Sequence, residues 1–139
     1  MTDSAITLRL RELRPANADK GYVPARIYDI VLEDEAVGHV VLRIGDNDAL
    51  RRYAGHIGYQ VEPQHRGRGY AAAAVRLLLP IARRAGMQEL WITCVPDNRA
   101  SRRTLEKLEA SYVETVDLPE VSDMYARGER QKCRYHLPL

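Results

Sequence analysis

Ile6, Leu8 and Leu10 alternate with Thr7, Arg9 and Arg11, a period of two that predicts a strand with one apolar face. Residues 14–24 (RPANADKGYVP) hold two prolines and a glycine and predict a connection with a short helical turn. Residues 26–33 (RIYDIVLE) and 37–44 are β-branched, aromatic and apolar, and Asp34-Glu35 between them is expected to turn a hairpin. Residues 45–48 (GDND) break the chain, and residues 49–54 predict a polar loop or a single helical turn. Ile57, Tyr59 and Val61 then alternate with His56, Gly58 and Gln60, a fourth strand that Pro63 ends by withholding a donor.

From 68 to 85 the period changes. Ala71, Ala74, Val75, Leu78, Leu79, Ala82 and Ala85 recur at helical spacing, with Arg76, Arg83 and Arg84 on the other side and Gly86 as the stop. Pro80 inside this pattern removes one hydrogen bond, at about 3 kcal/mol if nothing compensates, so a bend is expected there. Residues 89–95 (ELWITCV) are nearly all apolar, as in a mid-sheet strand covered on both faces. Pro96 ends that strand, Asp97 or Asn98 can cap a helix to about Leu108, and Leu105 and Leu108 are its core anchors. Two further strands, 111–116 and 132–137, flank a long polar segment that includes Pro119 and Gly128. The order β, β-β, β, α, β, α, β, β predicts an α/β (α+β) domain with a mixed sheet of about seven strands and one right-handed β-α-β crossover.

Composition narrows the class. A chain of 139 residues, 45% hydrophobic and 29% charged, fits one soluble domain spanning 1–139. A formal charge of +2 lacks the basic excess of a typical nucleic-acid-binding domain. Cys94 and Cys133 are too few for a disulfide scaffold and lack zinc-site spacing, so buried thiols and no metal are expected. The stretch MTDSAITLRLREL has no signal-peptide core, and no run approaches the roughly 20 apolar residues of a membrane span. A cytoplasmic protein with no membrane partner is the expectation.

The chemistry concentrates at Arg66-Gly67-Arg68-Gly69, between the end of a strand and the start of a helix, where unpaired N–H groups and partial positive charge collect. Glycines admit close approach and arginines add bidentate donors, so a phosphate is a natural guest. The alternative is a plain glycine turn with solvent-facing arginines. Neither GxGxxG nor GxxxxGK followed by Ser or Thr is present.

Residues 61–71 (VEPQHRGRGYA) resemble the acyl-coenzyme A signature of the Gcn5-related N-acetyltransferase (GNAT) superfamily, Gln/Arg-x-x-Gly-x-Gly/Ala, through Gln64, Gly67 and Gly69. Asn98-x-x-Ser101 at the next helix start resembles the superfamily's following motif. The pair most resembles a bacterial group of acetyltransferases whose acceptors are largely unassigned. The resemblance implies a GNAT-like fold with a shortened N-terminal helical region, whose fourth and fifth strands splay to admit the pantetheine of acetyl-CoA. Pantetheine would pair with backbone near Tyr59 and Val61, amides of Arg66, Gly67, Arg68, Gly69 and Tyr70 would hold the pyrophosphate, and Ser101 and Arg102 would face the cofactor. Asn98 would orient the pantetheine or simply cap its helix. Arg99, Arg102 and Arg103 either serve the 3′-phosphate or form a solvated face.

The implied reaction is direct transfer of the acetyl group to a primary amine, small molecule or peptide, which needs orientation, a polarised carbonyl and a proton path. Many members carry a tyrosine seven residues after the motif asparagine, and here that position is Leu105. Tyr112, Tyr125 and Tyr135 do not align by spacing; Tyr112 is the nearest candidate acid. His56 and Glu62 share a face by period two and are the candidate bases. Acids at Asp46, Asp48 and residues 33–35 could instead attract a cationic amine. About a dozen residues stand where relatives place two helices of the acceptor wall, which leaves an open site or one completed by a second subunit in a homodimer. A non-catalytic acyl-CoA binding module, motivated by Leu105, and a basic-surface nucleic-acid binder are the competing readings.

Overall fold

A computed structural model describes residues 6–139; residues 1–5, part of the stretch read for a signal peptide, lie outside the described residues. The strands are β1 (Ile6–Arg14), β2 (Ala25–Leu32), β3 (Glu35–Arg43), β4 (Ile57–Val61), β5 (Glu89–Cys94), β6 (Ser111–Asp117) and β7 (Gln131–Pro138). The helices are α1 (Tyr70–Arg84), α2 (Arg99–Lys107) and the single turn α3 (Asp123–Ala126). Antiparallel ladders join β1-β2-β3-β4 in one sheet and β5-β7-β6 in another, so β7 inserts between β5 and β6. β4 and β5 form no ladder with each other, and the α/β arrangement of seven strands opens at this border.

The β2–β3 turn sits one residue earlier than expected. Glu33 and Asp34 are its two central residues, with φ of 50° and 69°. A two-residue hairpin of the primed type needs positive φ at both positions, and its twist then matches the strands. The N-terminal connection contains a 3₁₀ turn, Ala18–Lys20, with the Asn17 side chain accepting from the Lys20 amide. β1 continues to Arg14, and its outer half is solvated, with Leu13 65% exposed.

The core lies where α1 covers the first sheet. Ala72, Ala73, Ala74, Val75, Leu78 and Ala82 are buried against a cluster that includes Ile30, Val40, Leu42 and Ile57. Alanine at successive positions lets the helix backbone approach the sheet closely, while the helix propensity of Ala holds the turn. α1 runs unbroken from Tyr70 to Arg84 through Pro80, the position where a bend is expected. Pro80 lies on the exposed side of the helix, away from the core that α1 packs against. From α2, Leu105 and Leu108 enter the same core.

The segment after β6 packs beside the connection between β1 and β2. Leu118 is buried, the Ser122 hydroxyl caps α3, and the Tyr22 hydroxyl reaches across to Asp123 Oδ2 at 3.0 Å. The connection between β1 and β2 is thus flanked by chain from the far end of the sequence. No described helix is long and apolar enough to cross a membrane.

Candidate functional site

β4 and β5 are pinned together at their beginnings and part toward their ends. The His56 amide donates to Trp91 O at 2.6 Å, and the Trp91 amide donates back to His56 Nδ1 at 2.8 Å. Nε2 of the same ring, which carries the proton when Nδ1 accepts, lies 3.2 Å from Gly45 O. Beyond this staple the strands diverge. Glu62 N–H donates to Val37 O and Arg43 N–H to His56 O, a register that ties the even residues of β4 to β3. The main-chain groups of Tyr59 and Val61 therefore face the opening. Val61 O there accepts from Arg66 Nε at 2.8 Å.

At the mouth of the opening the chain makes a 3₁₀ turn, Pro63–His65, and enters α1 through two glycines. Gly67 and Gly69 have φ of 81° and 80°, left-handed backbone that L side chains rarely adopt. A Cβ on Gly67 would meet nothing within 4 Å, and one on Gly69 only Lys107 Nζ at 3.9 Å, so the space above the turn is open. α1 has no side-chain N-cap, and the amides of residues 67–71 have no acceptor among the described residues. His65 Nδ1 is buried beside them, also without a partner among the described residues. Consecutive unmatched donors at a helix start form an anion site of the kind that suits a diphosphate.

The turn leads into a cleft of about 420 Å³ lined by Tyr59, Val61, Gly67, Tyr70, Asn98 and Ser101 among others. A second cleft of about 440 Å³ lies against the same opening and shares Tyr59, Asn98 and Ser101 with the first. Two of the shared residues are bonded to each other, Tyr59 Oη and Ser101 Oγ lying 2.7 Å apart. Burial pushes the Tyr59 phenol up to about 12, against the opposing pull of its bond to Ser101. Burial likewise pushes the Cys94 thiol up, and both cysteines are buried and free.

Most residues singled out for cofactor binding converge here, though in different roles. Asn98 is the N-cap of α2, its Oδ1 accepting from the Ser101 amide at 3.1 Å, and it lines both clefts. Arg66 and Gly69 line the first cleft; the Arg68 side chain does not. Arg102 turns away, donating to the Tyr135 hydroxyl at 3.3 Å and to Pro96 O at 3.2 Å. The candidate catalytic groups are scattered. His56 is 3% exposed with both ring nitrogens engaged, and burial lowers its pKa, so it is a neutral staple and a poor base. Tyr112 is 52% exposed on the outer strand β6, bonded to Thr115 and packed edge-on to Tyr135, two strands from the opening. Leu105 is fully buried core. Glu62 is exposed at the end of β4, near His39, whose pKa burial lowers.

Two features were not visible in the sequence. The Tyr59 side chain, bonded to Ser101 Oγ, belongs to the wall that both clefts share, whereas the family resemblance implies only a backbone role for this residue. Arg43, at the end of β3, lines the second cleft. Among the described residues no cluster of His, Cys, Asp or Glu could hold a metal.

The sequence model described as "Acetyltransferase (GNAT) domain" matches residues 2–111. No curated protein sequence matches the chain at a significant level. Among solved structures, the microcin C7 self-immunity acetyltransferase MccE, in complex with acetyl-CoA and AMP, is similar at TM-score 0.65 and 21% identity, over 88% of this chain and 63% of that one. The ribosomal L7/L12 alpha-N-protein acetyltransferase RimL, in complex with coenzyme A, is similar at 0.66 and 20%, over 87% and 64%. Mycobacterium smegmatis RimJ, in complex with CoA-disulfide, is similar at 0.64 and 22%, over 82% and 53%. At these identities the likeness concerns the fold, and the chain spans less than two thirds of each of these structures.

Proposed function

The chain belongs to the acetyltransferase (GNAT) domain family, and from that premise we propose that it transfers an acetyl group from acetyl-CoA to a primary amine. The observation that carries the reading is the continuity of the Gly67–Gly69 turn, with its unmatched amides, into the gap between β4 and β5. In this reading the amides of residues 67–71 and His65 hold the diphosphate, and the main chain of Tyr59 and Val61 aligns the pantetheine as an added strand. Acetyl-CoA, once bound, supplies a thioester whose acyl carbon an amine attacks, a C–N bond forming as the C–S bond breaks and one proton passing overall from nitrogen to sulfur.

The chain's own groups then divide that proton traffic. Tyr59 Oη, kept protonated by burial and oriented by Ser101, holds a proton at the wall that both clefts share and takes the general-acid role that Leu105 leaves vacant. Glu62 is the carboxylate at the end of β4 that accepts a proton from the amine, through water. His56 fixes the strand geometry and stays outside the proton path. The RimL likeness supports an amine acceptor, that protein's being a protein α-amine by its description.

The test is thiol release from acetyl-CoA with a panel of amines, amino acids and peptides. The reading predicts turnover, and Glu62→Gln should lower kcat roughly 10²-fold at saturating cofactor with coenzyme affinity unchanged. Tight coenzyme binding without turnover on any amine would instead identify a binding module.

A further inference from the structure

The second cleft carries a charge that no described carboxylate compensates. Arg43 ends β3, and its guanidinium lies over Gly58 of β4, where a Cβ would stand 3.5 Å from Nη2 and 3.6 Å from Nη1. Nη1 is anchored to the main chain, donating to Gly55 O at 3.1 Å and to Ala54 O at 3.4 Å. Nε and Nη2 have no partner among the described residues, and no described carboxylate pairs with the group. The other cation of the cleft is different: Lys132 Nζ sits 2.6 Å from Glu129 Oε1, so that pair neutralises itself.

Three physical points bear on this arrangement. First, a half-buried cation is costly to leave unpaired, and burial already lowers the Arg43 pKa, with Arg14 adding repulsion of the same sign. Second, the anchor leaves free the Nε–Nη2 edge, two parallel N–H groups whose spacing matches a carboxylate. Third, an anchored fork loses little side-chain entropy on binding, unlike a solvated arginine. A structural tether to two carbonyls needs only Nη1 and does not explain the open edge or its place in the cleft.

We infer that Arg43 receives a carboxylate of the acceptor, so that the acceptor is an amine bearing a carboxylate in the same molecule, as in an amino acid or a peptide with an acidic residue beside its amine. The carboxylate docks on the Nε–Nη2 edge over Gly58. The amine then lies toward Tyr59, Asn98 and Ser101, the residues shared with the coenzyme cleft. The inference rests on the acetyl-transfer reading and adds the acceptor's class to it.

The test uses product-like ligands, so it does not depend on guessing the acceptor. The ¹⁵N-labelled protein, saturated with CoA, is titrated by NMR with N-acetylglycine and separately with its neutral counterpart N-methylacetamide. N-acetylglycine should bind at least tenfold more tightly and move the Gly58 amide resonance. In Arg43→Gln that preference should vanish while CoA affinity stays the same, and Arg43→Lys should restore only part of it. Equal binding of the two ligands to the unaltered protein, no response to N-acetylglycine, or a preference that survives in Arg43→Gln would each overturn the inference. Tighter binding of N-acetylethanolamine phosphate than of N-acetylglycine would overturn the carboxylate assignment. Failure of CoA to bind at all would strike the acetyl-transfer reading, whereas CoA binding without carboxylate discrimination strikes this inference alone.

Discussion

Tyr59 and His56 illustrate how a residue's role depends on what the fold places opposite it. Both belong to one period-two pattern, and the pattern assigns each to a face without naming its neighbour. His56 meets the amide of Trp91, 35 positions away, and becomes a structural acceptor. Its folded pKa is depressed by burial, so the unfolded chain takes up a proton near the ordinary value of about 6.5 while the folded protein resists it. Stability from this group is therefore present above that pH and lost as pH falls through the lower, folded value. His39 acts in the same direction. Urea denaturation should show stability declining from pH 7 to pH 5, and His56→Asn should be less stable at pH 7 by roughly 1–3 kcal/mol, with a shallower decline that His39 still sustains. An identical slope in the variant would show that His56 contributes nothing to it. Tyr59→Phe probes the other residue: kcat should fall about 10²-fold with CoA affinity within about threefold, as for loss of a proton donor. The positive φ of Gly67 and Gly69, by contrast, is legible in the sequence, because a tight turn between a strand and a helix favours glycine.

At the scale of elements, order and type follow from the periodicities, while lateral order does not. The placement of β7 between β5 and β6 has no local signature, since both strands are antiparallel neighbours whichever comes first. The hairpin turn shifted by one residue because Glu33 and Asp34, neither of them glycine, adopt positive φ. α3 and its contact with Tyr22 were hidden in a segment that reads only as polar, since the link spans 101 positions. The chemistry of Pro80 alone predicts a bend, and the helix continues through it on the exposed side. Replacing it with alanine returns a backbone donor to the helix and removes the ring, and should raise stability by roughly 1–3 kcal/mol in urea titrations. A destabilised Pro80→Ala would mean that the proline ring contributes packing or stiffness that outweighs the donor it lacks.

For the whole molecule, the decisive feature is a sheet broken between β4 and β5, stapled at one end by His56 and Trp91 and opened at the other beside an uncapped helix start. The strand-helix-strand pattern implied that these strands are neighbours; their divergence comes from three-dimensional packing and was reached only through family resemblance. The two clefts share Tyr59, Asn98 and Ser101, and in the proposed function a coenzyme and an acceptor would reach this wall from different sides.

The central claim is that the amides after Gly67 hold a diphosphate, and calorimetry tests it most directly. CoA and pantetheine, which lacks the diphosphate, are titrated into the protein and into Gly67→Val, with circular dichroism confirming the fold of the variant. The account predicts that CoA binds the unaltered protein at least tenfold more tightly than pantetheine, a difference of about 1.4 kcal/mol or more, and that the variant loses this advantage. CoA binding no tighter than pantetheine, or an advantage undiminished in Gly67→Val, would contradict it.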